Sequence, residues 1–211
     1  MPRGIFIVLE GPNRAGKSTL IRALERRLKS SGCDVLITRE PGGTPLGEGL
    51  RAVLKDKAAA AGAFATALVF NGVRKEHIDR VIGPALCRGA IVFCDRYYMS
   101  TDVFQCILSN ELTGVEREIV GQIHKQFIQP DLTVFLLPDV SVINCRAGGM
   151  EKDCFEGNPR ESESYDNYAG DYGRSHTTMC LRPTLTTSVE TLADAIVGHI
   201  VIARWLSDLI A

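Results

Sequence analysis

A short glycine-rich stretch contains the residues with the clearest chemical purpose. It runs from Gly11 to Ser18 as Gly-Pro-Asn-Arg-Ala-Gly-Lys-Ser and fits the pattern G-x-x-x-x-G-K-[S/T]. Its glycines let the backbone turn tightly, so that successive N–H groups point into one concavity at a helix N-terminus. Such a concavity holds phosphate oxygens, while the lysine reaches the β- and γ-phosphates of a nucleotide and the serine hydroxyl is a ligand for Mg²⁺. The stretch therefore predicts a nucleotide-phosphate site.

The segments on both sides of this stretch support that interpretation. Ile5–Leu9 is an apolar, β-branched run typical of a buried strand, and Leu20, Leu24 and Leu28 recur at helical spacing. A strand, a glycine loop and a helix in this order are the structural context in which this motif binds phosphate. The residues that we expect to contact the donor phosphates are Gly11, Asn13, Arg14, Ala15, Gly16, Lys17, Ser18 and Thr19.

Three further clusters of polar and aromatic residues lie beside predicted strands. Thr38-Arg-Glu-Pro-Gly-Gly-Thr44 follows the second strand, and Asp95-Arg-Tyr97 follows the third and leads into Ser100-Thr-Asp-Val-Phe-Gln105. Phe70 and Arg74 lie between them on a predicted helix. Each cluster alone is a weak signal, because a strand-end arginine is often a solvated charge and a phenylalanine often belongs to the core. Their coincidence with a phosphate loop favours a functional role.

The elements that must position these residues alternate between strand and helix. We predict strands at Ile5–Leu9, Val35–Thr38, Ala90–Cys94, Leu132–Leu137 and Thr177–Leu181. Helices are predicted at residues 16–31, 46–56, 62–87, 100–127, 139–146 and 188–210. This alternation, with unbroken apolar strands, predicts an α/β fold in which helices cover both faces of a parallel sheet. Ligands of such sheets bind at the carboxyl ends of the strands.

The composition limits the classes of function. A length of 211 residues favours a single domain over residues 1–211, and a net charge of −1 gives no field for nucleic acid or an acidic membrane. Seven cysteines without metal-ligand spacing are typical of reduced thiols in the cytoplasm. Only five consecutive apolar residues precede Glu10, and Ala58–Phe70 is too short to span a bilayer. We therefore expect a cytoplasmic protein.

A polar segment interrupts the alternation near the end of the chain. Residues 146–174 contain two glycine-rich turns and alternating charges. We interpret the segment as a mobile lid, since sequestering a phosphate reaction from water calls for a cover that can move. A plain surface loop is the alternative.

The order of these motifs resembles that of the thymidylate kinases, which pass the γ-phosphate of ATP to dTMP. The resemblance rests on Glu10-Gly11 and the phosphate loop, Arg-Glu-Pro-Gly-Gly-Thr, Phe-x-x-x-Arg, Asp-Arg-Tyr with Ser-Thr-x-x-Phe-Gln, and Pro130-Asp-Leu132. It covers about residues 4–156. It implies a P-loop kinase fold with a five-stranded parallel sheet and a lid, Mg²⁺ as cofactor, ATP as donor, dTMP as acceptor, and a homodimer.

The resemblance also implies a role for each acceptor residue. Arg39 and Arg96 would hold the 5′-phosphate of dTMP, which suits the planar fork of a guanidinium group. Asp95 would help to position Mg²⁺. Phe70 would stack on thymine and Arg74 would donate to its O4 edge, so that cytosine, with an amino group there, is rejected.

Further positions follow the same family pattern. Ser100 and Thr101 fall where the family contacts the base, and Phe104 falls where a bulky ring disfavours ribose. Asn13 replaces a loop carboxylate that contacts the 3′-hydroxyl of dTMP, so recognition of that hydroxyl would lack its charge. The family pattern also predicts a cis peptide bond at Glu40–Pro41.

Catalysis in this family needs positioning and charge neutralisation rather than a protein nucleophile. One branch carries its catalytic arginine in the phosphate loop and the other carries it in the lid. Arg14 occupies the loop position, and Cys154 stands where the other branch has its lid arginine. The predicted catalytic group is Arg14, Lys17, Asp95 and Arg96. The departures at Asn13 and in the lid indicate a divergent member of the family. A large DNA virus is one source of such a member, and its location would then be the host-cell cytoplasm.

Two other functions stay open at this point. One is a related P-loop kinase for another deoxynucleotide, such as deoxyuridylate, or for a deoxynucleoside. Two arginines aimed at an acceptor phosphate argue against an uncharged nucleoside. The other is a nucleotide-binding protein that acts through partners without turnover, against which the intact Lys17, Ser18, Asp95 and Arg96 count.

Overall fold

Five strands form one parallel sheet at the centre of the computed structural model, which describes residues 3–56, 61–146 and 158–210. The strands are β1 (Ile5–Glu10), β2 (Val35–Arg39), β3 (Ile91–Asp95), β4 (Leu132–Leu136) and β5 (Thr178–Leu181). Their spatial order is β2-β3-β1-β4-β5, and each neighbouring pair runs parallel. The predicted fold class and all five predicted strands are confirmed.

Helices connect the strands and cover the sheet. They are α1 (Lys17–Ser30), α2 (Pro45–Lys55), α3 (Ala63–His77), α4 (Gly83–Cys87), α5 (Tyr98–Thr101), α6 (Gly114–His124), α7 (Val140–Arg146), α8 (Glu161–Tyr172) and α9 (Val189–Ile210). Two π-helical segments, Ile78–Ile82 and Asp102–Leu108, continue α3 and α5. Thr44 caps α2 by accepting from the Gly47 N–H at 3.0 Å, which fixes where the chain turns away from β2.

The central strand supplies side chains to a separate core on each face. Phe6 and Val8 of β1 belong to a buried cluster with residues of α4, α5 and α8. Ile7 and Leu9 point to the opposite face and pack with α1 and α9. Successive side chains of a strand point to opposite faces of the sheet, which explains this alternation. Because both faces are buried, Ile5–Leu9 of β1 is apolar in every position.

One predicted helix is interrupted. The expectation of a single helix over 100–127 was wrong, because α6 begins anew at Gly114. Thr113 and Glu116 form a reciprocal capping box at its start, and Asn110 has a left-handed backbone with φ of 56°. These local interactions end one helix and start the next.

The predicted lid segment contains a helix that was not predicted from the sequence. Residues 147–157, including Cys154, lie outside the described part of the chain, whereas α8 follows them. Tyr165, Ala169 and Tyr172 of α8 are buried against the sheet. These side chains therefore pack into the core from one face of α8.

Three further sequence expectations concern the backbone, the cysteines and membranes. The Glu40–Pro41 peptide bond is cis, as predicted. Within the described ranges the six cysteines are free thiols. None of the helices described is both long and apolar enough to cross a bilayer.

Candidate active site

The sheet register brings the predicted site residues to one edge. Asp95 at the end of β3 is paired with Leu9 of β1 on one side and with Arg39 of β2 on the other. The phosphate loop leaves β1 directly after Glu10, so the loop, the β2 arginine and the β3 aspartate lie side by side. This edge is the carboxyl end of the sheet, where α/β proteins bind ligands.

The phosphate loop has the backbone that its glycines predict. A Cβ on Gly11 would lie 2.3 Å from the carbonyl oxygen of Leu136, so no larger residue fits there. Gly16 caps α1 with φ of 104°, a conformation that favours glycine. Arg14 also has positive φ, 65°, which is uncommon outside glycine and is typical of strained functional loops.

Lys17 lies buried inside this loop. Its ammonium donates to the carbonyl oxygens of Gly11 and Pro12, each at 2.9 Å. Burial and the nearby charge of Arg96 lower the pKa of Lys17 to about 8, although Asp95 acts in the opposite direction. A phosphate bound here would be a negatively charged partner for the Lys17 ammonium and would offset the cost of burying that charge.

Ser18 and Asp95 form a pair of oxygen ligands beside the loop. The hydroxyl of Ser18 donates to Oδ2 of Asp95 at 2.8 Å. A hydroxyl and a carboxylate are hard oxygen donors of the kind that Mg²⁺ prefers, and Mg²⁺ usually keeps several waters beside one or two protein ligands. The residues present at this position therefore fit that metal.

Arg96 lies at the centre of the site and is held from several directions. Its Nη1 donates to the carbonyl of Gly11 at 3.2 Å, to Ser100 Oγ at 3.1 Å and to the Tyr165 hydroxyl at 2.7 Å. Its Nη2 donates to Oδ1 of Asn13 at 2.6 Å. Its backbone φ is 75°, a second left-handed arginine in the site. The guanidinium is thus oriented toward the loop before any ligand binds.

A buried carboxylate supports Arg96 from behind. Glu10 is fully buried and accepts from the backbone N–H groups of Tyr97 and Ser100 and from the Ser100 and Tyr165 hydroxyls. Burial raises the pKa of Glu10, while the positive charge of Arg96 opposes the shift. This carboxylate fixes the turn that carries Arg96 and Ser100.

Arg74 occupies a second buried network. Its Nε donates to Glu40 Oε2 at 2.6 Å, its Nη1 to Asn71 Oδ1 at 2.6 Å and its Nη2 to Thr101 Oγ1 at 3.2 Å. The second oxygen of Glu40 lies 3.1 Å from Nδ1 of His77. Of its five N–H groups, Arg74 uses three in these contacts, so others stay available to a ligand.

One cavity joins both networks to the phosphate loop. Its volume is about 660 Å³. Of the residues predicted from the sequence, those that line it are Asn13, Arg14, Ala15, Gly16, Lys17, Ser18, Thr19, Arg39, Phe70, Arg74, Asp95, Arg96, Ser100, Thr101 and Phe104. Gly11 does not line the cavity but supplies a carbonyl to Lys17 and Arg96. Arg39 is half-exposed there and pairs with Glu48 at 2.9 Å.

Several residues in contact with the site were not predicted. Glu10 and Glu40 support the two buried arginines. Both belong to motifs identified in the sequence, but no role was predicted for either. Glu161 of α8 accepts from the backbone N–H of Asn13 at 2.6 Å, and Tyr165 reaches Arg96 from the same helix. The spacing of Tyr165, Ala169 and Tyr172 fits one helix face and could have indicated α8.

Arg146 brings the start of the predicted lid to the phosphate loop. Its Nη1 donates to the carbonyl oxygen of Ala15 at 2.5 Å, and its side chain lines the cavity. The carbonyl oxygen of Arg14, at 3.5 Å, is its second partner in the loop. From the sequence, Arg146 was predicted as the last residue of a helix and the first of the lid, without a contact to the phosphate loop.

Several known proteins are similar to this chain in sequence or in fold. The thymidylate kinase of Nitrosospira multiformis is 43% identical over 148 residues, covering 68% of this chain and 69% of that protein. The thymidylate kinase of Halothermothrix orenii is 40% identical over 154 residues, covering 72% of each. The crystal structure of thymidylate kinase from Ehrlichia chaffeensis shares the fold, with a TM-score of 0.72, 24% identity, and coverage of 94% of this chain and 99% of that one.

A family model described as thymidylate kinase matches residues 9–180, which include the phosphate loop, both buried arginines and α8. That range is most of the sequence. The chain therefore belongs to the thymidylate kinase family.

Proposed function

We propose that the cavity holds dTMP and the phosphates of ATP together, with the acceptor between Phe70, Arg74 and Arg96 and the donor on the loop at 11–18. As a member of the thymidylate kinase family, the chain is an ATP-dependent kinase that converts dTMP into dTDP. The observation that carries the site assignment is that one cavity is lined by the loop and by every side chain proposed to contact dTMP.

On the acceptor side, Arg39 and Arg96 hold the 5′-phosphate of dTMP. Arg96 is already oriented by Asn13 and Tyr165, so little side-chain freedom is lost on binding. The half-exposed Arg39 exchanges its pairing with Glu48 for the phosphate. Both arginines line the same cavity, so both guanidinium groups can face one phosphate.

Base recognition depends on Phe70 and Arg74. Phe70 stacks on thymine, and a remaining N–H of Arg74 donates to the O4 edge, while Ser100 and Thr101 line the same wall. Because Arg74 is buried and offers only donors, the amino group of cytosine would face an unpaired guanidinium N–H. Phe104 lies over Arg96, with the guanidinium carbon 5.5 Å from the ring centroid, and narrows the space for a ribose 2′-hydroxyl.

Asn13 takes the place of a loop carboxylate near the sugar. Its side-chain oxygen accepts from Arg96 and its backbone N–H donates to Glu161, so the residue is fixed on both sides. An amide oxygen can still accept a hydrogen bond from the 3′-hydroxyl of dTMP, but without the charge that a carboxylate would add. We infer that binding of the acceptor depends less on that hydroxyl than it would with a carboxylate at position 13.

Phosphoryl transfer follows from placing two anions in line. An oxygen of the dTMP phosphate attacks the γ-phosphorus of ATP, the bond to the β-phosphate oxygen breaks, and ADP leaves. Lys17 and Arg14 both line the cavity, and their role in this proposal is to neutralise the charge that develops on the transferring group. Arg14 is the proposed catalytic arginine, and no protein nucleophile takes part.

Mg²⁺ is the proposed cofactor, with Ser18 and Asp95 as the residues that would hold it. When bound, the metal neutralises charge on the donor phosphates. The 2.8 Å contact between the two side chains supports a shared ligand position.

The proposed organisation is a single domain over residues 1–211, with a lid at about 146–174, located in the cytoplasm and assembled as a homodimer. Leu68 and Val69 of α3 and Val115 and Ile119 of α6 are exposed, although α3 and α6 pack together. Exposed apolar side chains on adjacent helices support an interface between copies. Light scattering that found a monomer at assay concentration would reject the dimer.

A coupled assay of ADP release tests the proposed acceptor. The panel comprises dTMP, dUMP, dCMP, TMP with a ribose sugar, and thymidine, each with ATP and Mg²⁺. We expect dTMP to have the highest kcat/KM and dCMP and thymidine to be poor acceptors. Higher kcat/KM with thymidine or dUMP would favour the other kinase functions, and nucleotide binding without turnover would favour a binding protein.

A further inference from the structure

The imidazole of His77 lies between the end of β2 and the helix that carries Arg74. His77 is the last residue of α3, one helical turn after Arg74, and it is fully buried. Its Nδ1 forms a hydrogen bond with Oε1 of Glu40 at 3.1 Å, and its Nε2 forms one with the Thr38 hydroxyl at 2.6 Å. None of the roles proposed above uses this ring.

The loop after β2 is also shaped around this ring. A Cβ on Gly43 would lie 2.3 Å from Nε2 of His77, so a larger residue there would collide with the imidazole. Thr38 precedes and Glu40 follows Arg39, the arginine proposed to bind the acceptor phosphate. A single side chain of α3 therefore contacts both chain neighbours of that arginine and the loop behind them.

The direction of the hydrogen bond to Glu40 follows from its acceptor. The Nε of Arg74 donates to Oε2 of the Glu40 carboxylate at 2.6 Å, and the other oxygen, Oε1, accepts from Nδ1 of His77. Nδ1 carries a proton in one neutral tautomer and in the imidazolium alike, so this contact does not depend on the charge of the ring. The Thr38 hydroxyl can donate to Nε2 or accept from it, and it therefore suits both forms.

The thiol of Cys94 is a third group at this position. Its sulfur lies within 4.8 Å of the nearest ligand atoms of Glu40 and His77, a set that could hold a metal ion. The thiol donates instead to the carbonyl oxygen of Arg96 at 3.0 Å, and burial raises the pKa of Cys94 well above its ordinary value. A metal ion needs the thiolate, and Arg74 already engages Glu40, so the cluster fits a hydrogen-bonded support better than a metal site.

We propose that His77 is a positioning residue for Arg74 and thereby contributes to the selection of thymine. Its Nδ1–H holds one oxygen of Glu40, so that the other oxygen stays in line with Nε of Arg74. Without this donor the buried carboxylate has an unpaired oxygen, and its turning toward another partner releases the guanidinium. A guanidinium free to tilt no longer rejects the amino group of cytosine. This inference rests on the proposed role of Arg74 toward the base.

The position of the ring proton can be measured in the unmodified protein. Nitrogen-15 spectra of the histidine side chains distinguish a proton on Nδ1 from a proton on Nε2 alone. The chain has four histidines, and the His77 signals are assigned by their loss in His77→Asn. We expect a proton on Nδ1 of His77. A ring protonated only on Nε2 overturns the inference, whether or not the enzyme uses dTMP.

Two amide substitutions separate the two contacts of the ring. The amide of asparagine lies near the position of Nδ1 in histidine, so His77→Asn keeps a donor for Glu40 and loses the partner of Thr38. The amide of glutamine lies near the position of Nε2, so His77→Gln keeps the partner of Thr38 and loses the donor to Glu40. The exposed His176→Gln is the matched control.

The measured quantity is the ratio of kcat/KM for dTMP to kcat/KM for dCMP, which does not depend on the fraction of enzyme that is folded. In His77→Gln we expect this ratio to fall and KM for dTMP to rise, each about tenfold, with kcat little changed. In His77→Asn the ratio should stay within about threefold of the parent value. An unchanged ratio in His77→Gln, or equal losses in both variants, rejects the inference alone, because a packing role does not distinguish the two contacts. A parent enzyme that does not discriminate against dCMP instead rejects the proposed role of Arg74, and the inference with it.

Discussion

The hydroxyl of Tyr165 lies 2.7 Å from Nη1 of Arg96, although 69 positions separate the two residues in the chain. The same hydroxyl donates to Glu10 at 3.2 Å and lies 2.9 Å from Oγ of Ser100. Burial raises the pKa of Tyr165 well above its ordinary value, so the group stays a neutral hydroxyl. Helix α8, which lies within the predicted lid segment, therefore helps to hold the arginine proposed to bind the acceptor phosphate.

Removing this hydroxyl tests that support. In Tyr165→Phe we expect KM for dTMP to rise about tenfold, since a hydrogen bond to a charged group is lost, with a smaller change in kcat. Tyr172→Phe is the control, because the Tyr172 hydroxyl bonds Tyr98 instead. Steady-state kinetics with varied dTMP measures both. Equal changes in KM for the two variants would show that Tyr165 acts only through packing.

Arg14 is the proposed source of positive charge for the transferring phosphoryl group. In Arg14→Ala we expect kcat to fall by about 10³-fold, as when an arginine that stabilises this transition state is lost, while dTMP affinity is kept. Arg26→Ala, on the exposed face of α1, should leave kcat unchanged. Turnover close to the parent in Arg14→Ala would reject the assignment and direct attention to the lid.

Lys17 predicts an unusual dependence on pH. Only its cationic form attracts phosphate, and its pKa of about 8 makes that form decline above pH 8 instead of near the ordinary 10.5. The kcat/KM for ATP should therefore fall about tenfold per pH unit above 8, whereas kcat at saturating ATP should hold to higher pH, because bound phosphates stabilise the cation. A kcat/KM for ATP that stays constant up to pH about 10 would contradict the lowered pKa of Lys17.

Replacing glycine by alanine should change the stability of the fold in opposite directions at Gly11 and at Gly121. Gly11→Ala combines φ of 133° with a Cβ at 2.3 Å from the Leu136 carbonyl, and should destabilise the fold by about 3 kcal/mol or more. Gly121→Ala in α6 meets nothing within 4 Å and should stabilise by about 0.5–1 kcal/mol. Denaturant unfolding compares the two. Similar stabilities would mean that the loop backbone relaxes freely.

The strands and the phosphate loop could be predicted because their causes are local. Ile5–Leu9 is apolar in every position since β1 is buried on both faces, and the glycines at 11 and 16 specify their own turns. The position of Arg39 beside Asp95 followed from one rule, that parallel strands end at one edge. Such rules need no knowledge of partners distant in sequence.

The buried networks could not be predicted because their partners are distant in sequence. Glu40 meets Arg74 34 positions away, and Tyr165 meets Glu10 155 positions away. Helix α8 was not predicted because the segment is polar on average. Its few buried apolar side chains are tyrosines and an alanine, and their helical spacing was therefore overlooked. The capping box at Thr113 and Glu116 is a short-range signal that was present in the sequence and was overlooked when one helix over 100–127 was predicted.

A crystal structure with dTMP and a non-hydrolysable ATP analogue is the most direct test of the central claim. We expect thymine between Phe70 and Arg74, the 5′-phosphate on Arg39 and Arg96, and the analogue's phosphates on the loop at 11–18. A monophosphate bound elsewhere, or one whose phosphate does not contact Arg96, would contradict it.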